Sequence, residues 1–284
     1  MAELLSPAVD FVFKRLFGDE KNADVLVSFL NAVFESAKQP LIESVEILNP
    51  FLDKEALSDK MSVLDIRART ETRTLINIEI QLWNAGDMPK RTLYYWARLY
   101  AGQMEAGHQY RALQKAIAVN IVDFDVMDNR QYHNVFHVRE DATGTLLTDM
   151  LEIHFLELRK LWEQSVGLEK RLVRWMLFLA ARTREQMEEL AKEDPMMQKA
   201  LTTLEFLSQD EQTRMLYEAR QKALHDYASA IGEAEDKGRV EGRMEGRMET
   251  ARTMLAKDMD IALVSDVTGL SLEEVERLRK ERTG

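Results

Sequence analysis

The segment Thr74–Asn84, TLINIEIQLWN, alternates apolar and polar side chains. One set of positions is apolar throughout: Ile76, Ile78, Ile80 and Leu82. The other set contains Glu79 and Gln81. Alternation with a period of two is typical of a β-strand, because successive side chains point to opposite faces of a sheet. The segment therefore predicts a strand whose isoleucines face a core, and its polar face needs an explanation.

The preceding segment, Ser62–Arg69, alternates in the same way and predicts the antiparallel partner of this strand. A hairpin that turns about Thr72 brings Asp65 opposite Glu79. Side chains directly opposite each other lie about 4.5–5.5 Å apart at Cβ, so two carboxylates in this arrangement repel each other. Either a cation lies between them, or Glu79 belongs to a solvated face of the hairpin.

The cation reading predicts a magnesium site. Mg²⁺ prefers oxygen ligands and is usually held by one or two carboxylates together with water and substrate phosphate. Asp65, Glu79 and the main-chain carbonyl of Ile80 would supply such a set, and Mn²⁺ is expected to substitute. A bound ion activates a water and neutralises charge on a phosphodiester. Gln81, one strand step beyond Glu79, is placed to orient that water.

The composition excludes several classes of protein. The 284 residues are 45% hydrophobic and 31% charged, which is ordinary for a globular protein. The absence of cysteine excludes disulfides, thiolate zinc sites and a cysteine nucleophile, and it favours a cytoplasmic location. A net charge of -11 argues against non-specific coating of nucleic acid without excluding local contact. No apolar run approaches the ~18 residues of a membrane span, and the N-terminal residues lack a secretion signal.

The order of the patterns predicts an α/β fold with a mixed sheet, followed by an all-helical C-terminal region. We expect three parts: a core over residues 1–157, a helical extension packed on it over 158–230, and a glycine-repeat helix with a small helical tail over 231–284.

Four segments carry a family resemblance in their order and spacing. They are SPAVDFVFKRLFGDEKNADVLVSFLNAVF (6–34), DKMSVLDIRARTETRTLINIEIQLWN (59–84), MPKRTLYYWARLYAGQMEAGHQY (88–110) and LEIHFLELRK (151–160). Together they resemble the recombination-promoting nucleases, a transposase-like family of the PD-(D/E)XK superfamily. The resemblance implies a three-layer restriction-endonuclease-like core and magnesium-dependent, poorly selective cleavage of DNA. The breaks would promote recombination or transposition of mobile elements.

The resemblance also assigns roles to single residues. Asp65 and Glu79 would be the metal ligands, and Gln81 would stand where most of the superfamily has lysine. Glutamine can hydrogen-bond a water or a phosphate oxygen but carries no charge. Lys14 is the first candidate to supply that charge, and Lys60 is the second, facing a DNA phosphate.

Two further residues have alternative interpretations. Asp10, in the Asp-x-x-Phe-Lys pattern, is either an auxiliary acid of the same cleft or an acid favoured at a helix N-terminus. Arg91, at the start of a predicted helix, is either a clamp on a DNA phosphate or a member of an exposed ion pair.

Two segments of the C-terminal region, the glycine repeat and the tail that follows it, each have two interpretations. The repeat Gly238–Glu249, with glycine at every fourth position, forms either a self-associating helix or a flexible charged linker. The segment Asp260–Glu281 predicts two short helices with the spacing of a helix-turn-helix. Because its second helix carries balanced charge, we favour a small packing module over a groove reader.

Three functions follow from these observations. The leading hypothesis is a metal-dependent DNA endonuclease with DNA as its partner and no membrane association. The second is a catalytically weak protein that binds DNA or another partner on the nuclease scaffold. The third gives the helical C-terminal region the main role, as the element that assembles a homo-oligomer.

Overall fold

A computed structural model of the protein describes residues 3–49, 65–84, 86–105, 107, 109–164 and 167–283. The chain divides into two compact units, Met1–Ala219 and Arg220–Gly284. The finer boundaries expected at residues 157 and 230 stay predictions. No helix in the described part of the chain is long and apolar enough to cross a membrane.

The first unit is built on a six-stranded mixed sheet with the strand order β1-β2-β3-β4-β6-β5. Strand β3 runs parallel to β4, and β4 runs parallel to β6, whereas the other neighbours are antiparallel. The strands are β1 Val45–Ile47, β2 Ile66–Thr70, β3 Leu75–Gln81, β4 Ala116–Val122, β5 His133–Arg139 and β6 Leu146–Glu157. The predicted fold class, an α/β core with a mixed sheet, is confirmed.

The helices precede, interrupt and follow the sheet. Those of the first unit are α1 Asp10–Phe17, α2 Ala23–Ser36, α3 Met88–Ala101, α4 Arg171–Ala180, α5 Arg184–Ala191 and α6 Pro195–Gln209. Helix α7 spans Glu211–Ala256, and α8 Ile261–Thr268 and α9 Leu272–Thr283 follow it. The predicted all-helical C-terminal region is therefore confirmed.

The isoleucine face of β3 lies in the main core, as predicted. Ile76, Ile78 and Ile80 are buried with residues of α1, α2 and α4. The parallel register places Ile117, Val119 and Ile121 of β4 beside them on the same face. This face therefore joins the sheet to the helices that flank it in sequence.

The polar face of β3 is buried too, so the expectation of a solvated face is wrong. Asn77 and Glu79 expose only 5% and 3% of their surface. Helix α3 covers this side of β3 and β4, with Met88 in a second apolar cluster. A central strand next to a parallel neighbour is covered on both faces by helices. Glu79 is therefore a buried acid, which raises the question of what compensates its charge.

The predicted hairpin and its register are confirmed. Ile66 pairs with Ile78 and Ala68 with Ile76, so Asp65, directly before β2, is next in line opposite Glu79. The turn has Arg73 in the left-handed region at φ 66°. Hydroxyl groups at Thr70, Thr72 and Thr74 hydrogen-bond one another across it. The turn thus closes without the glycine or asparagine that tight hairpins favour.

In the second unit the glycine repeat is helical throughout, so the linker interpretation is wrong. Gly269, at φ 66°, ends α8, and Ser271 and Glu274 form the predicted capping box at the start of α9. The unit has a small core of its own: Ala251, Leu255, Val264, Leu270, Val275 and Leu278.

Replacing Gly238, Gly242 and Gly246 together with alanine is expected to stabilise α7. A Cβ at each position would meet no atom within 4 Å, and alanine is favoured over glycine inside a helix by about 1 kcal/mol. Circular dichroism of the full chain should show that this variant retains more helix than the wild type as the temperature rises. Glu241→Ala, the control, should change the helix content little. The same variant tests oligomer assembly: an unchanged mass by light scattering would exclude the glycines as a close-packed interface.

Candidate active site

Two buried carboxylates mark the site, and the backbone of each is held by several elements. Asp65 and Glu79 are 5% and 3% exposed. Glu79 lies on β3 between two paired strands, opposite Asn120 of β4. The Asn49 side chain donates to the Asp65 carbonyl at 2.8 Å and accepts from the Arg67 amide at 2.6 Å. The Asn49 amide thus fixes the chain where Asp65 enters β2.

Burial raises the pKa of both acids. Burial raises the pKa of Asp65 to about 6, against the positive charges of Arg91, Arg67 and Lys14 and a hydrogen bond from Asn77. Burial raises the pKa of Glu79 to about 7, and the Asp65 charge adds to that increase. Both acids are therefore costly to ionise in the folded protein without a further cation nearby.

Arg91 of helix α3 is the principal counter-charge of Glu79. Its Nε and Nη2 donate to the same oxygen, Oε1, at 2.7 and 2.6 Å. The next residue, Thr92, donates from its hydroxyl to the Asn120 side chain at 2.9 Å. Asn120 in turn donates to the main-chain carbonyl of His154 at 3.0 Å. This buried chain ties the first turns of α3 to β4 and so positions Arg91 against Glu79.

The residues present fit a hard divalent cation. Oδ2 of Asp65 is buried without a hydrogen-bond partner, and a buried carboxylate oxygen left in this state is expensive unless it meets a cation. No group of three or more His, Asp and Glu side chains among the described residues is arranged to hold a metal. Two carboxylates and a carbonyl suit Mg²⁺, which keeps several of its waters.

The structure brings some of the predicted residues together. Asp65, Glu79 and Arg91 form one cluster, and the Lys14 charge acts on Asp65 from a 1% exposed position on α1. Arg91 has a partner, but the pair is partly buried and joins a predicted metal ligand, which neither interpretation from the sequence anticipated. Gln81 ends β3, half-buried, one step beyond Ile80.

Of two further predicted residues, one has a local contact within α1 and the other lies in a part of the chain that the structure does not describe. Asp10 accepts a hydrogen bond from the Phe11 amide at 2.8 Å within the first turn of α1. That contact fits the helix-terminal interpretation of Asp10, and its auxiliary role stays a prediction. Lys60 lies outside the described residues.

Sequence reasoning missed the residues that support the site. These residues are Asn49, Asn77, Thr92 and Asn120, and each contacts a neighbour from another element. Asn77 and Asn120 carry one signal in the sequence, a short polar side chain inside a strongly apolar strand, whereas Asn49 follows β1 and Thr92 lies beside Arg91 without such a signal. Such a residue must find a hydrogen-bond partner when it is buried.

A second buried polar cluster lies on the opposite face of the sheet, beneath α2. Glu152 accepts from Lys115 at 2.7 Å and contacts His154 at 2.7 Å, and His154 contacts His133 at 2.9 Å. Burial and the neighbouring His154 lower the pKa of His133 to about 3, so this imidazole is neutral. His133 and His137 both lie on β5.

Comparison with known proteins finds one family model for each of two segments of the chain. The family model described as PD-(D/E)XK nuclease family transposase matches residues 7–234. A second model, described as the C-terminal HTH domain of the Rpn/YhgA-like nuclease family, matches residues 245–280. The helix-turn-helix reading of the tail is therefore favoured over the packing module. No curated protein and no solved structure matches the chain.

Proposed function

The chain belongs to the PD-(D/E)XK nuclease family transposases, and from that premise we propose that it is a Mg²⁺-dependent DNA endonuclease of low sequence selectivity. Its breaks would promote recombination or the transposition of mobile DNA. The observation that carries the proposal is the buried, opposed pair of Asp65 and Glu79, whose charges call for a cation. The family membership and the cysteine-free composition support action on DNA in the cytoplasm.

Each residue of the site has a part in the proposed hydrolysis. Asp65, Glu79 and the Ile80 carbonyl would hold the ion, which supplies an activated water and neutralises the charge that develops on the phosphodiester. Gln81 would hydrogen-bond and orient the attacking water. Lys14 would supply positive charge to the Asp65 side of the site.

Two basic residues would hold the DNA backbone. Lys60 and Arg91 are proposed to contact phosphates, which steer and orient DNA without selecting a sequence. Low sequence selectivity is the consequence if such contacts dominate binding.

The test is nicking of supercoiled plasmid by the purified full chain with Mg²⁺, Mn²⁺ or EDTA. We expect cutting with either ion, none in EDTA, and loss of cutting in Glu79→Gln. Cutting that persists in EDTA or in Glu79→Gln would overturn the proposal.

Metal binding is expected to strengthen as the pH rises through about 6 to 7. The pKa values of Asp65 and Glu79 are raised to about 6 and about 7, so below this window both acids hold protons that a metal must displace. The sign follows from linkage: in the metal-free protein these two groups stabilise the fold below their ordinary pKa values, and that contribution is lost as the pH rises through their folded values. Thermal shift with saturating Mn²⁺ at several pH values would measure the effect, and a stabilisation that shrinks with rising pH would contradict it.

A DNA-binding protein with weak catalysis is the second candidate. The match of residues 245–280 to an HTH domain and the uncharged Gln81 favour it. Tight binding of duplex DNA with no cleavage under any divalent ion would select this alternative.

A further inference from the structure

The carboxylate that is proposed to hold the metal is already bound to a cation of the protein itself. We propose that Arg91 is a placeholder for the divalent ion: it binds Glu79 in the metal-free protein and leaves that carboxylate when the ion binds. This inference rests on the proposed function, because it takes Asp65 and Glu79 as the metal ligands.

The hydrogen bonds show why Arg91 and an ion compete. Nε and Nη2 of Arg91 both donate to Oε1 of Glu79, at 2.7 and 2.6 Å. A carboxylate oxygen has two lone-pair sites, so Oε1 has none left for a metal while Arg91 stays in place, and an ion could meet only Oε2. Glu79 is only 3% exposed, which leaves its side chain little freedom to present another arrangement. A guanidinium and a divalent ion on one buried carboxylate also repel each other, so the two cations compete for Glu79.

The surroundings allow the side chain of Arg91 to move while its helix stays in place. Thr92 is 2% exposed and anchors α3 to Asn120, so the backbone at this turn is fixed. The Arg91 side chain is 22% exposed, and its guanidinium lies 5.3 Å from the centre of the Tyr95 ring. This cation–π contact exists alongside the hydrogen bonds to Glu79, so it can retain the guanidinium when Arg91 leaves that carboxylate.

The exchange reconciles a prediction with an observation on the same residue. One interpretation of the sequence places Arg91 on a DNA phosphate, whereas the structure shows it bound to Glu79. A planar guanidinium released from Glu79 is well suited to bidentate phosphate recognition. Arg91 would therefore stabilise the carboxylate pair before metal binding and become available to DNA afterwards.

Competition of this kind has a measurable consequence. If Arg91 must leave Glu79, then removing it strengthens metal binding by the coupling between the two cations. We expect Arg91→Met to lower the Kd for Mn²⁺ by about tenfold, within the range of typical couplings. A merely structural Arg91 would instead leave the affinity unchanged or weaken it.

The experiment is a titration of the full chain with Mn²⁺, followed by the electron paramagnetic resonance signal of the free ion in mildly alkaline buffer. Arg98→Met is the matched control, because Arg98 lies on the same helix, 5.8 Å from the centre of the Tyr94 ring. We expect tighter binding in Arg91→Met and wild-type affinity in Arg98→Met. Arg91→Lys, which keeps a cation but loses the planar fork, should tighten binding by a smaller factor and serves if Arg91→Met does not fold.

The outcomes separate this inference from the proposed function. Binding that requires Asp65 but is not tightened by Arg91→Met or Arg91→Lys would overturn the placeholder role alone. Mn²⁺ binding that is unaffected by Asp65→Asn, or absent from every form, would overturn the metal site and the placeholder role together.

Discussion

Asp65→Asn is expected to lower metal-dependent DNA cleavage by about a thousandfold while the metal-free protein stays as stable as wild type, or becomes more so. The loss of activity follows from removing one of two proposed charged ligands: a metal contributes several kcal/mol of transition-state stabilisation, and about 4 kcal/mol corresponds to a factor of a thousand. The gain or parity in stability follows from burial, because Oδ2 of Asp65 has no hydrogen-bond partner and its charge raises the pKa of Glu79.

The stability effect has a definite pH dependence. Asp65 has its pKa raised from 3.8 to about 6, so its contribution to stability is complete below its ordinary pKa and is lost as the pH rises through about 6. The uncharged asparagine does not suffer this loss. In EDTA, the melting temperature of Asp65→Asn should therefore rise relative to that of the wild type as the pH goes from acidic to neutral.

Asp87→Asn is the matched control for this variant. Asp87 is exposed, and its negative charge also raises the pKa of Glu79, but it lies outside the proposed ligand set. Cleavage within a few-fold of wild type in Asp87→Asn, beside the large loss in Asp65→Asn, would identify ligation as the cause. Equal losses in both variants would point to general electrostatics instead.

Glu157→Ala is expected to destabilise the first unit by about 3–5 kcal/mol, which is the usual cost of removing one partner from a buried ion pair. Glu157 is completely buried, and Lys160 lies 2.8 Å from its Oε2. Its carboxylate also accepts from the amide of Val126 at 2.8 Å and from the Asn134 side chain at 3.0 Å. One side chain therefore joins the end of β6 to the segment after β4 and to the start of β5.

Urea unfolding followed by tryptophan fluorescence would measure this loss, because all four tryptophans belong to the first unit. Glu189→Ala is the control: Glu189 pairs with Lys192 at a site where both side chains are largely exposed, and such pairs contribute roughly 0–1 kcal/mol. A Glu157→Ala midpoint that matches that of Glu189→Ala would contradict the structural role of Glu157.

The features that the sequence predicted correctly depend on residues that lie close together along the chain. The isoleucines of β3 and the Asp65/Glu79 register follow from alternation and from the length of a short turn, and both are confirmed. The capping box of Ser271 and Glu274 is equally local. In each case the information lies within a few residues along the chain.

What the sequence could not predict depends on how distant segments pack. The solvated reading of the Glu79 face failed because α3 covers that face, and alternation cannot distinguish water from a helix above a polar side chain. The Arg91–Glu79 pair and the Asn120 anchor also require the packing of α3 on the sheet. The cluster of Lys115, Glu152 and the histidines needs three neighbouring strands in register, which no local pattern encodes.

The threonine turn between β2 and β3 limits the insertions and deletions that this part of the chain can accept. Side chains alternate with a period of two, so a deletion that shifts the pairing by one position would move Asp65 to the isoleucine face. An acid would then enter the apolar core, and the proposed metal site would lose a ligand in the same step. The turn around Gly144, between β5 and β6, is not constrained in this way. We therefore expect natural relatives to gain and lose residues there, while the spacing between Asp65 and Glu79 stays constant.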